Sequence, residues 1–394
     1  MWIKKRHNII VALLRPFFNL FYRIKYKCKI KAIAVPKDGC IIVSNHVTSM
    51  DPFMVGLKFN KPLYYMASND IFQHKFTGKL IKFLVNPIPK EKSNKNDIKA
   101  VKTCVKVAKE KGSICIFPEG NRTLSGKLGY IDPSIVKLIK LLKKPLVICN
   151  IIGGYGCEPR WSKKYRKGKL DIVVKQTLSL DDINNLSNEE FYDLIVKNLS
   201  VDEFAENRKY VSKNKAEYLE RVLYICPICH NKHSISSCGN TISCSCCNLK
   251  VNYNEDLTFS SNNIDFKFKY VHEWYDYQID VIKNEQFAEN EEIYQEDIKL
   301  FQPIMFKSRI PLGKGKMILL NGCFKFVFED KEIVMNFDDI KAITLLGKKK
   351  MNIYHLDKTY QVFNQKRINL LKYMHMFYIL KNKKEGIEDG FIGI

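Results

Sequence analysis

The first half of the chain alternates short apolar runs with longer segments of helical periodicity. Four runs have the length and composition of buried strands, at residues 40–43, 63–67, 113–117 and 145–151. Apolar side chains recur at helical spacing over residues 71–83 and 97–111, between the second and third runs, and over residues 131–142, between the third and fourth. Strands that alternate with helices predict an α/β domain over residues 38–215, with a central sheet flanked by helices.

The second half changes its pattern. Helical spacing continues over residues 189–222, but from residue 266 onward short alternating runs are separated by tight polar turns. Six of these runs are predicted strands, at residues 316–320, 323–328, 333–337, 342–346, 351–356 and 360–363. A predicted helix over residues 367–381 closes the chain. Antiparallel strands closed by a helix resemble, in topology, a small pleckstrin-homology-like module over residues 266–394.

The N-terminal segment, residues 1–37, combines apolar side chains with positive charge. It holds ten Lys and Arg and no Asp or Glu. Its apolar run is interrupted by Arg15 and Pro16 and falls short of the ~20 residues that span a bilayer, and no cleavable signal pattern precedes it. We therefore expect this helix to lie in an anionic membrane surface. The alternative is a helix packed on the core with a solvated basic face.

Composition narrows the class of partner and the compartment. The chain has 394 residues, enough for two or three domains, and a formal charge of +24, which favours nucleic acid, an anionic membrane or an anionic substrate. Part of that charge reflects the abundance of Lys, Asn and Ile that an AT-rich genome produces. Of the 13 cysteines, seven are scattered singly through apolar runs, which is typical of reduced core residues. We expect a cytoplasmic protein, peripherally associated with the inner face of the cell membrane.

His46 follows the predicted strand at residues 40–43 and precedes Asp51-Pro52, a typical helix start. In open α/β sheets, sites form where strands end at their carboxyl edge. A carboxylate five residues beyond a histidine can fix the tautomer of the ring and stabilise the imidazolium that forms when the other nitrogen takes a proton. His46 and Asp51 are therefore candidates for activating a hydroxyl group as a nucleophile.

Two blocks of the sequence resemble the glycerolipid acyltransferase family, which includes the 1-acylglycerol-3-phosphate acyltransferases. The family's N-H-x-x-x-x-D block corresponds to Asn45, His46 and Asp51. Its F-P-E-G-T-R-S block corresponds to residues 117–123, where Asn121 and Thr123 replace the usual Thr and Ser. The resemblance covers roughly the first half of the chain, and the two blocks stand in the family's order.

This resemblance implies transfer of a fatty acyl group from acyl-CoA or an acyl-carrier protein to the hydroxyl of a lysophospholipid. The expected acceptor is 1-acylglycerol 3-phosphate; glycerol 3-phosphate and a lysolipid without phosphate are the alternatives. His46 is the expected base. The acceptor phosphate is assigned to four residues of the two following loops, Arg122, Lys90, Glu119 and Gly120. Lys92 is a rival for Lys90, and both could instead belong to a solvated loop.

Arg122 is the strongest of these candidates, because its planar guanidinium matches phosphate oxygens. A carboxylate beside a phosphate would repel it, so Glu119 is expected to orient Arg122 or to accept hydrogen bonds from loop amides. Gly120 allows the backbone to approach a ligand closely.

The six remaining cysteines lie between Cys226 and Cys247. Two C-x-x-C pairs resemble a zinc ribbon over residues 222–260, with a structural zinc held by Cys226, Cys229, Cys244 and Cys247. His230 or His233 could substitute as ligands, and a disulfide cluster is the alternative. A basic zinc-ribbon protein that binds nucleic acid would explain the charge and the cysteines. It would leave both acyltransferase blocks unexplained, so we expect no nucleic-acid partner.

Overall fold

The first sheet of the computed structural model has six strands, and the described residues are 1–68, 75–90, 97–204, 208–304, 309–364, 367–387 and 390–393. The strands are β1 (Ile41–Ser44), β2 (Leu63–Ser68), β3 (Ile88–Lys90), β4 (Ser113–Ile116), β5 (Leu146–Ile152) and β6 (Asp171–Leu178). Their order is β3-β2-β4-β1-β5-β6, and only β6 runs antiparallel to its neighbour. The predicted α/β sheet is confirmed.

Eight helices accompany this sheet within the described residues. They are α1 (Lys5–Tyr26), α2 (Asp51–Lys58), α3 (Lys75–Leu84), α4 (Ile98–Lys109), α5 (Ser134–Leu142), α6 (Gly154–Cys157), α7 (Leu180–Asn185) and α8 (Asn188–Leu199). Successive residues of a strand face opposite sides of the sheet. Ile42 therefore packs in one hydrophobic cluster, whereas Ile41 and Val43 pack in another. Because both faces are covered, the central strands are apolar over most of their length.

Helix α1 packs against the sheet domain by one face only. Arg15 anchors it, donating hydrogen bonds to the backbone carbonyls of Leu57 and Phe59 at the C-terminal end of α2. Tyr22 and Tyr26 are buried at its C-terminal end. The opposite face leaves five large apolar side chains 58–73% exposed, at Ile9, Leu13, Phe17, Leu20 and Ile24. Among the described residues, no helix has the length and apolarity needed to cross a membrane.

The helical prediction over residues 189–222 is wrong beyond α8, which ends at Leu199. Past that point, only a single turn at Leu219–Arg221 is helical in the described part of the segment. Tertiary contacts take up its backbone instead. The amide of Tyr210 donates to the carbonyl of Glu255, and Val211 pairs with Lys167. The spacing of apolar residues along one segment cannot reveal contacts with residues so distant in sequence.

The second sheet is a four-stranded antiparallel meander that contains the cysteine-rich segment. Its strands are β7 (Ile235–Cys238), β8 (Thr241–Cys244), β9 (Lys250–Tyr253) and β10 (Phe259–Ser260). Helix α9 (Val271–Asn284) follows and was not predicted. The indole of its Trp274 donates to the carbonyl of Ile225 at 2.8 Å, next to the first cysteine pair.

The third sheet has seven antiparallel strands, one more than predicted. They are β11 (Glu292–Gln302), β12 (Ile310–Leu320), β13 (Cys323–Val327), β14 (Glu332–Asn336), β15 (Ile340–Leu346), β16 (Lys350–His355) and β17 (Lys358–Phe363). Their order is β14-β13-β12-β11-β17-β16-β15. Strand β11 escaped prediction because Glu292, Glu296 and Asp297 lower its strand propensity. Helix α10 (Leu371–Lys384) closes the sheet, with His375 and Lys372 among its buried side chains.

The three sheets share one hydrophobic core. A single cluster of buried side chains includes Trp161 beside the first sheet, Tyr253 on β9 and Phe377 on α10. Polar contacts also cross the junctions, since Arg160 donates to the carbonyl of Leu345 at 3.1 Å. Each sheet therefore positions the loops of the others.

Candidate active site

The carboxylate of Asp51 organises the loop that follows β1. It is fully buried and accepts four hydrogen bonds. Its Oδ2 accepts from the Nδ1 of His46 at 2.8 Å and from the amides of Val47 and Thr48 at 2.6 and 2.9 Å. Its Oδ1 accepts from the Thr48 hydroxyl at 2.6 Å. A carboxylate held in this way fixes the His46 ring with Nδ1 as donor, which leaves Nε2 as the acceptor.

The loops at the ends of β1, β4 and β5 are tied together by two side chains. The amide group of Asn45 donates to the carbonyl of Ile151 at 2.9 Å and accepts from its amide at 2.8 Å. Glu119 accepts from the His46 amide at 2.6 Å through Oε1 and from the Gly129 amide at 2.8 Å through Oε2. Both contacts hold His46 at the carboxyl edge of the sheet.

Glu119 does not fit the predicted contact with a phosphate. Its side chain is buried, and both of its oxygens are taken up by backbone amides. Burial raises its pKa to about 8, while the hydrogen bonds from Gly129 and His46 oppose the shift. Of the two roles considered for it, accepting hydrogen bonds from loop amides is the one seen, and it makes no ion pair with Arg122 among the described residues.

Arg122 lies beyond β4 on the same edge of the sheet as His46. Within the described residues, its guanidinium makes no hydrogen bond or ion pair, although its backbone carbonyl accepts from Arg160 at 3.0 Å. Burial lowers its pKa, and the charges of Asp51 and Glu158 oppose that shift. A cation that faces these carboxylates without pairing with them is available to an anionic ligand.

Gly120 adopts a backbone conformation that side chains rarely take. Its φ is +65°, and no atom lies within 4 Å of where a Cβ would stand. The residue is exposed, so the loop presents open backbone beside the Glu119 contact.

Lys90 is exposed at the end of β3, on the carboxyl edge of the sheet. Strands β2 and β4 separate β3 from β1. At ordinary strand spacing, the backbone of Lys90 therefore lies about 14 Å from β1, the strand that leads to His46. The structure does not bring Lys90 to His46. Lys92, its rival in the sequence, lies outside the described residues.

A small cavity opens beside the His46 ring, which stacks on Phe117 with ring centroids 4.5 Å apart. Glu203 lines it, 4% exposed, and accepts from the Gly153 amide at 2.8 Å. Burial raises its pKa to about 7, and the hydrogen bonds from the Gly153 and Tyr155 amides oppose the shift. Sequence reasoning missed Glu203, because it stands in the segment predicted as helix and carries no motif.

The four predicted zinc ligands come together in the structure. Every thiol sulfur of Cys226, Cys229, Cys244 and Cys247 lies within 4.8 Å of the others. The Cys226–Cys247 and Cys229–Cys244 pairs stand at 3.5 and 3.6 Å without forming disulfides. Four thiolates around a tetrahedral zinc would stand about 3.8 Å apart, from Zn–S bonds near 2.3 Å. The donor set therefore fits zinc.

Neither alternative histidine belongs to this group of sulfurs. The ring of His230 lies 2.6 Å from the Tyr277 hydroxyl through Nδ1, and His233 packs edge-on against Tyr294. Cys238 and Cys246, the spare cysteines, are both exposed.

Comparison with known proteins agrees with the two sequence blocks. Residues 25–152 match the family model described as Acyltransferase. A 1-acyl-sn-glycerol-3-phosphate acyltransferase of Bacillus subtilis is 27% identical over 159 residues, which is 40% of this chain and 75% of that protein. A probable 1-acyl-sn-glycerol-3-phosphate acyltransferase of Mycoplasma pneumoniae is 25% identical over 127 residues, 31% of this chain and 47% of its own length.

Among solved structures, the 1-acyl-sn-glycerophosphate acyltransferase PlsC of Thermotoga maritima aligns with a TM-score of 0.39 and 17% identity. The alignment covers 50% of this chain and 82% of that one. The assignment accordingly rests on sequence. Residues 25–152, which include both blocks and the His46–Asp51 pair, are therefore an acyltransferase domain.

Proposed function

We propose that this enzyme transfers a fatty acyl group from an acyl thioester to the free hydroxyl of a lysophospholipid, with 1-acylglycerol 3-phosphate as acceptor. The buried Asp51 carboxylate that orients His46 carries this proposal, because it leaves Nε2 ready to accept a proton. The names of the Bacillus subtilis and Mycoplasma pneumoniae relatives support the choice of acceptor.

In the proposed reaction, His46 Nε2 takes the proton of the acceptor hydroxyl as its oxygen attacks the thioester carbon. A neutral imidazole is too weak a base to ionise an alcohol fully, so proton transfer is concerted with attack. Asp51 stabilises the imidazolium. When the tetrahedral intermediate collapses, the C–S bond breaks and the leaving thiolate takes the proton from Nε2, which restores neutral His46.

Arg122 is the proposed ligand of the acceptor phosphate, with Gly120 shaping the loop beside it and Lys90 as a weaker candidate. The donor is acyl-CoA or an acyl-carrier protein, and glycerol 3-phosphate or a phosphate-free lysolipid remain alternative acceptors. Purified enzyme in detergent, offered each acceptor with each donor, separates these possibilities by the acyl product that forms.

The cysteine cluster is the proposed site of a structural zinc in a ribbon over residues 222–260. Cys226 and Cys229 would hold the ion from one turn, and Cys244 and Cys247 from the other. The ion would link the two turns of a small sheet that has little core of its own. The seven-stranded sheet and α10 form the proposed pleckstrin-homology-like module over residues 266–394.

The exposed apolar face of α1 is the proposed contact with the inner surface of the cell membrane. Its five apolar side chains recur at intervals of three or four residues, and the segment 1–37 adds ten positive charges without a negative one. Phe53 on α2, which is 43% exposed, stacks on Phe18 and extends this apolar surface. An acceptor lipid in that membrane would therefore lie next to the bound enzyme.

Replacing His46 with Ala should lower turnover by roughly 10²–10⁴-fold, because the hydroxyl loses its general base. Asp51→Asn should also lower turnover strongly, because the imidazolium loses its counter-charge. Transfer of a labelled acyl group to lysolipid measures both, with the melting temperature as a check on folding. His355→Ala, on β16 and outside the site, is the control. Near-normal turnover of His46→Ala would rule out this mechanism.

Replacing Arg122 with Ala should raise the KM for a phosphate-bearing lysolipid roughly tenfold or more, through loss of charged hydrogen bonds. The KM for a phosphate-free lysolipid should change little. Arg122→Lys should recover only part of the loss, because an ammonium cannot bind two phosphate oxygens in the fork geometry. An equal loss on both acceptors, with a lower melting temperature, would make Arg122 a structural residue.

One zinc ion per chain should co-purify with the enzyme, and replacing Cys226 and Cys229 together with Ser should release it. Elemental analysis and thiol titration measure this directly. Cys238→Ser, which removes an exposed cysteine outside the cluster, is the control. Metal-free protein with all of its thiols titratable would contradict the assignment.

Replacing Leu13 and Phe17 together with Ser should weaken binding to phosphatidylglycerol vesicles roughly tenfold or more. Full burial of each such side chain contributes about 1.5–3 kcal/mol, so partial burial of two accounts for this change. Co-sedimentation with vesicles measures it. Ile264→Ser removes an 86% exposed apolar side chain outside α1 and should leave binding unchanged. Equal binding by all variants would contradict a membrane contact through α1.

A further inference from the structure

A second cavity lies where the acyltransferase domain meets the seven-stranded sheet. On the side of the acyltransferase domain, it is lined by Arg160 and Trp161. Arg221 lines it from the connecting segment. On the side of the seven-stranded sheet, it is lined by the β15–β16 turn and the start of α10. The cavity is open to solvent, and the empty space between its walls, adjoining solvent included, is about 390 Å³. Leu124 also lines this cavity, two residues beyond Arg122.

The charged side chains around this cavity are all positive. They are Arg160, Arg221, Lys348 and Lys350, and no carboxylate is among the described residues that line it. Arg160 and Arg221 are only 6 and 7% exposed. Buried charges in proteins are ordinarily paired, because an isolated charge in a medium of low polarity is costly. Four cations around one cavity therefore call for a counter-ion.

Arg221 has donors that no described group satisfies. Its Nη1 donates to the carbonyl of Trp161 at 3.3 Å, whereas Nε and Nη2 are buried without a hydrogen-bond partner. The neighbouring Glu220 is occupied elsewhere, since its Oε1 accepts from Arg367 at 2.8 Å and its Oε2 from the Ser237 hydroxyl. Two unsatisfied donors of one planar guanidinium match two oxygens of an anion.

Two of the other cations, Arg160 and Lys348, are held by neutral groups. Arg160 donates to the carbonyls of Arg122 and Leu345, and Lys348 donates to the carbonyl of Ser162. Glu158 faces Lys348 from the acyltransferase side, but its carboxylate accepts from the hydroxyls of Tyr26 and Ser49 at 2.8 and 3.1 Å. Burial together with the charges of Arg221 and Arg122 lowers the pKa of Lys348 to about 8. These contacts hold the side chains in place, and none of the four cations forms an ion pair with a carboxylate among the described residues.

We propose that this cavity binds the phosphate group of a small molecule, with Arg221 as its principal ligand and Arg160, Lys348 and Lys350 around it. Phosphate accepts several hydrogen bonds and carries the charge that the cluster lacks. The site differs from the acceptor site proposed at Arg122, whose side chain does not line the cavity. Two sources offer the required group: the nucleotide part of CoA, or a free anion such as pyrophosphate. CoA as the source rests on the proposed function, whereas anion binding does not.

Titration of the full chain with pyrophosphate, CoA and pantetheine tests the proposal without requiring turnover. Pyrophosphate or CoA should bind by calorimetry and raise the melting temperature, whereas pantetheine, which lacks the phosphates, should not. Competition between CoA and pyrophosphate would identify CoA as a ligand of this site. Binding of pyrophosphate alone would identify a free anion. Binding of neither compound would overturn the proposal.

Substitutions test whether the ligand binds in this cavity. Arg221→Gln should weaken binding roughly tenfold to a hundredfold, as expected for loss of charged hydrogen bonds, and Lys350→Gln should weaken it less. Lys314→Gln, an exposed lysine of the same sheet outside the cavity, should bind as the unaltered chain does. Without ligand, Arg221→Gln should melt at the same or a higher temperature, because an unpaired buried cation is removed. Unchanged binding in Arg221→Gln, or a lower melting temperature without any change in binding, would overturn the proposal.

Discussion

The buried carboxylate of Asp51 is the constraint on which the candidate active site depends. A carboxylate without solvent is stable only where donors surround it, and here two loop amides, one hydroxyl and the His46 ring supply them. Those four donors determine the path of the chain from β1 into α2. The orientation of the imidazole is thus a consequence of satisfying Asp51, and the site needs no additional device to aim it.

The need of buried polar side chains for hydrogen-bond partners also links the loops to one another. Asn45 binds both backbone groups of Ile151, and Glu119 joins the amides of His46 and Gly129. Each is a buried polar side chain whose desolvation is offset only while its partners stay in place. The edge of the sheet therefore forms a connected frame, in which the guanidinium of Arg122 has no hydrogen-bonding partner among the described residues. Such a frame around an unpaired cation favours selective binding, because little must be reorganised when an anion arrives.

Contacts between residues close in sequence could be predicted from the sequence, whereas contacts between residues far apart in sequence could not. The strands β1, β4 and β5 were predictable, since parallel strands covered on both faces are continuously apolar. The His46–Asp51 contact spans five residues and was readable from its motif. Glu203 was not predictable, because it meets Gly153 across 50 positions and carries no local signal. Arg221 was equally hidden, since its cavity exists only once β15 and β16 have packed against Trp161.

The far end of the chain reaches back to the loop that carries Arg122. The side chain of Asn121 donates to the carbonyl of Gly393, 272 positions later, and Phe391 packs on Tyr130. At about 5–20 residues per second, the loop is synthesised roughly 15–50 s before these residues exist. Until then, part of the surface of the nascent sheet stays uncovered. The loop that carries Arg122 acquires its final surroundings only after residues 391–393 have been made, so its completion is a late event in the folding of this domain.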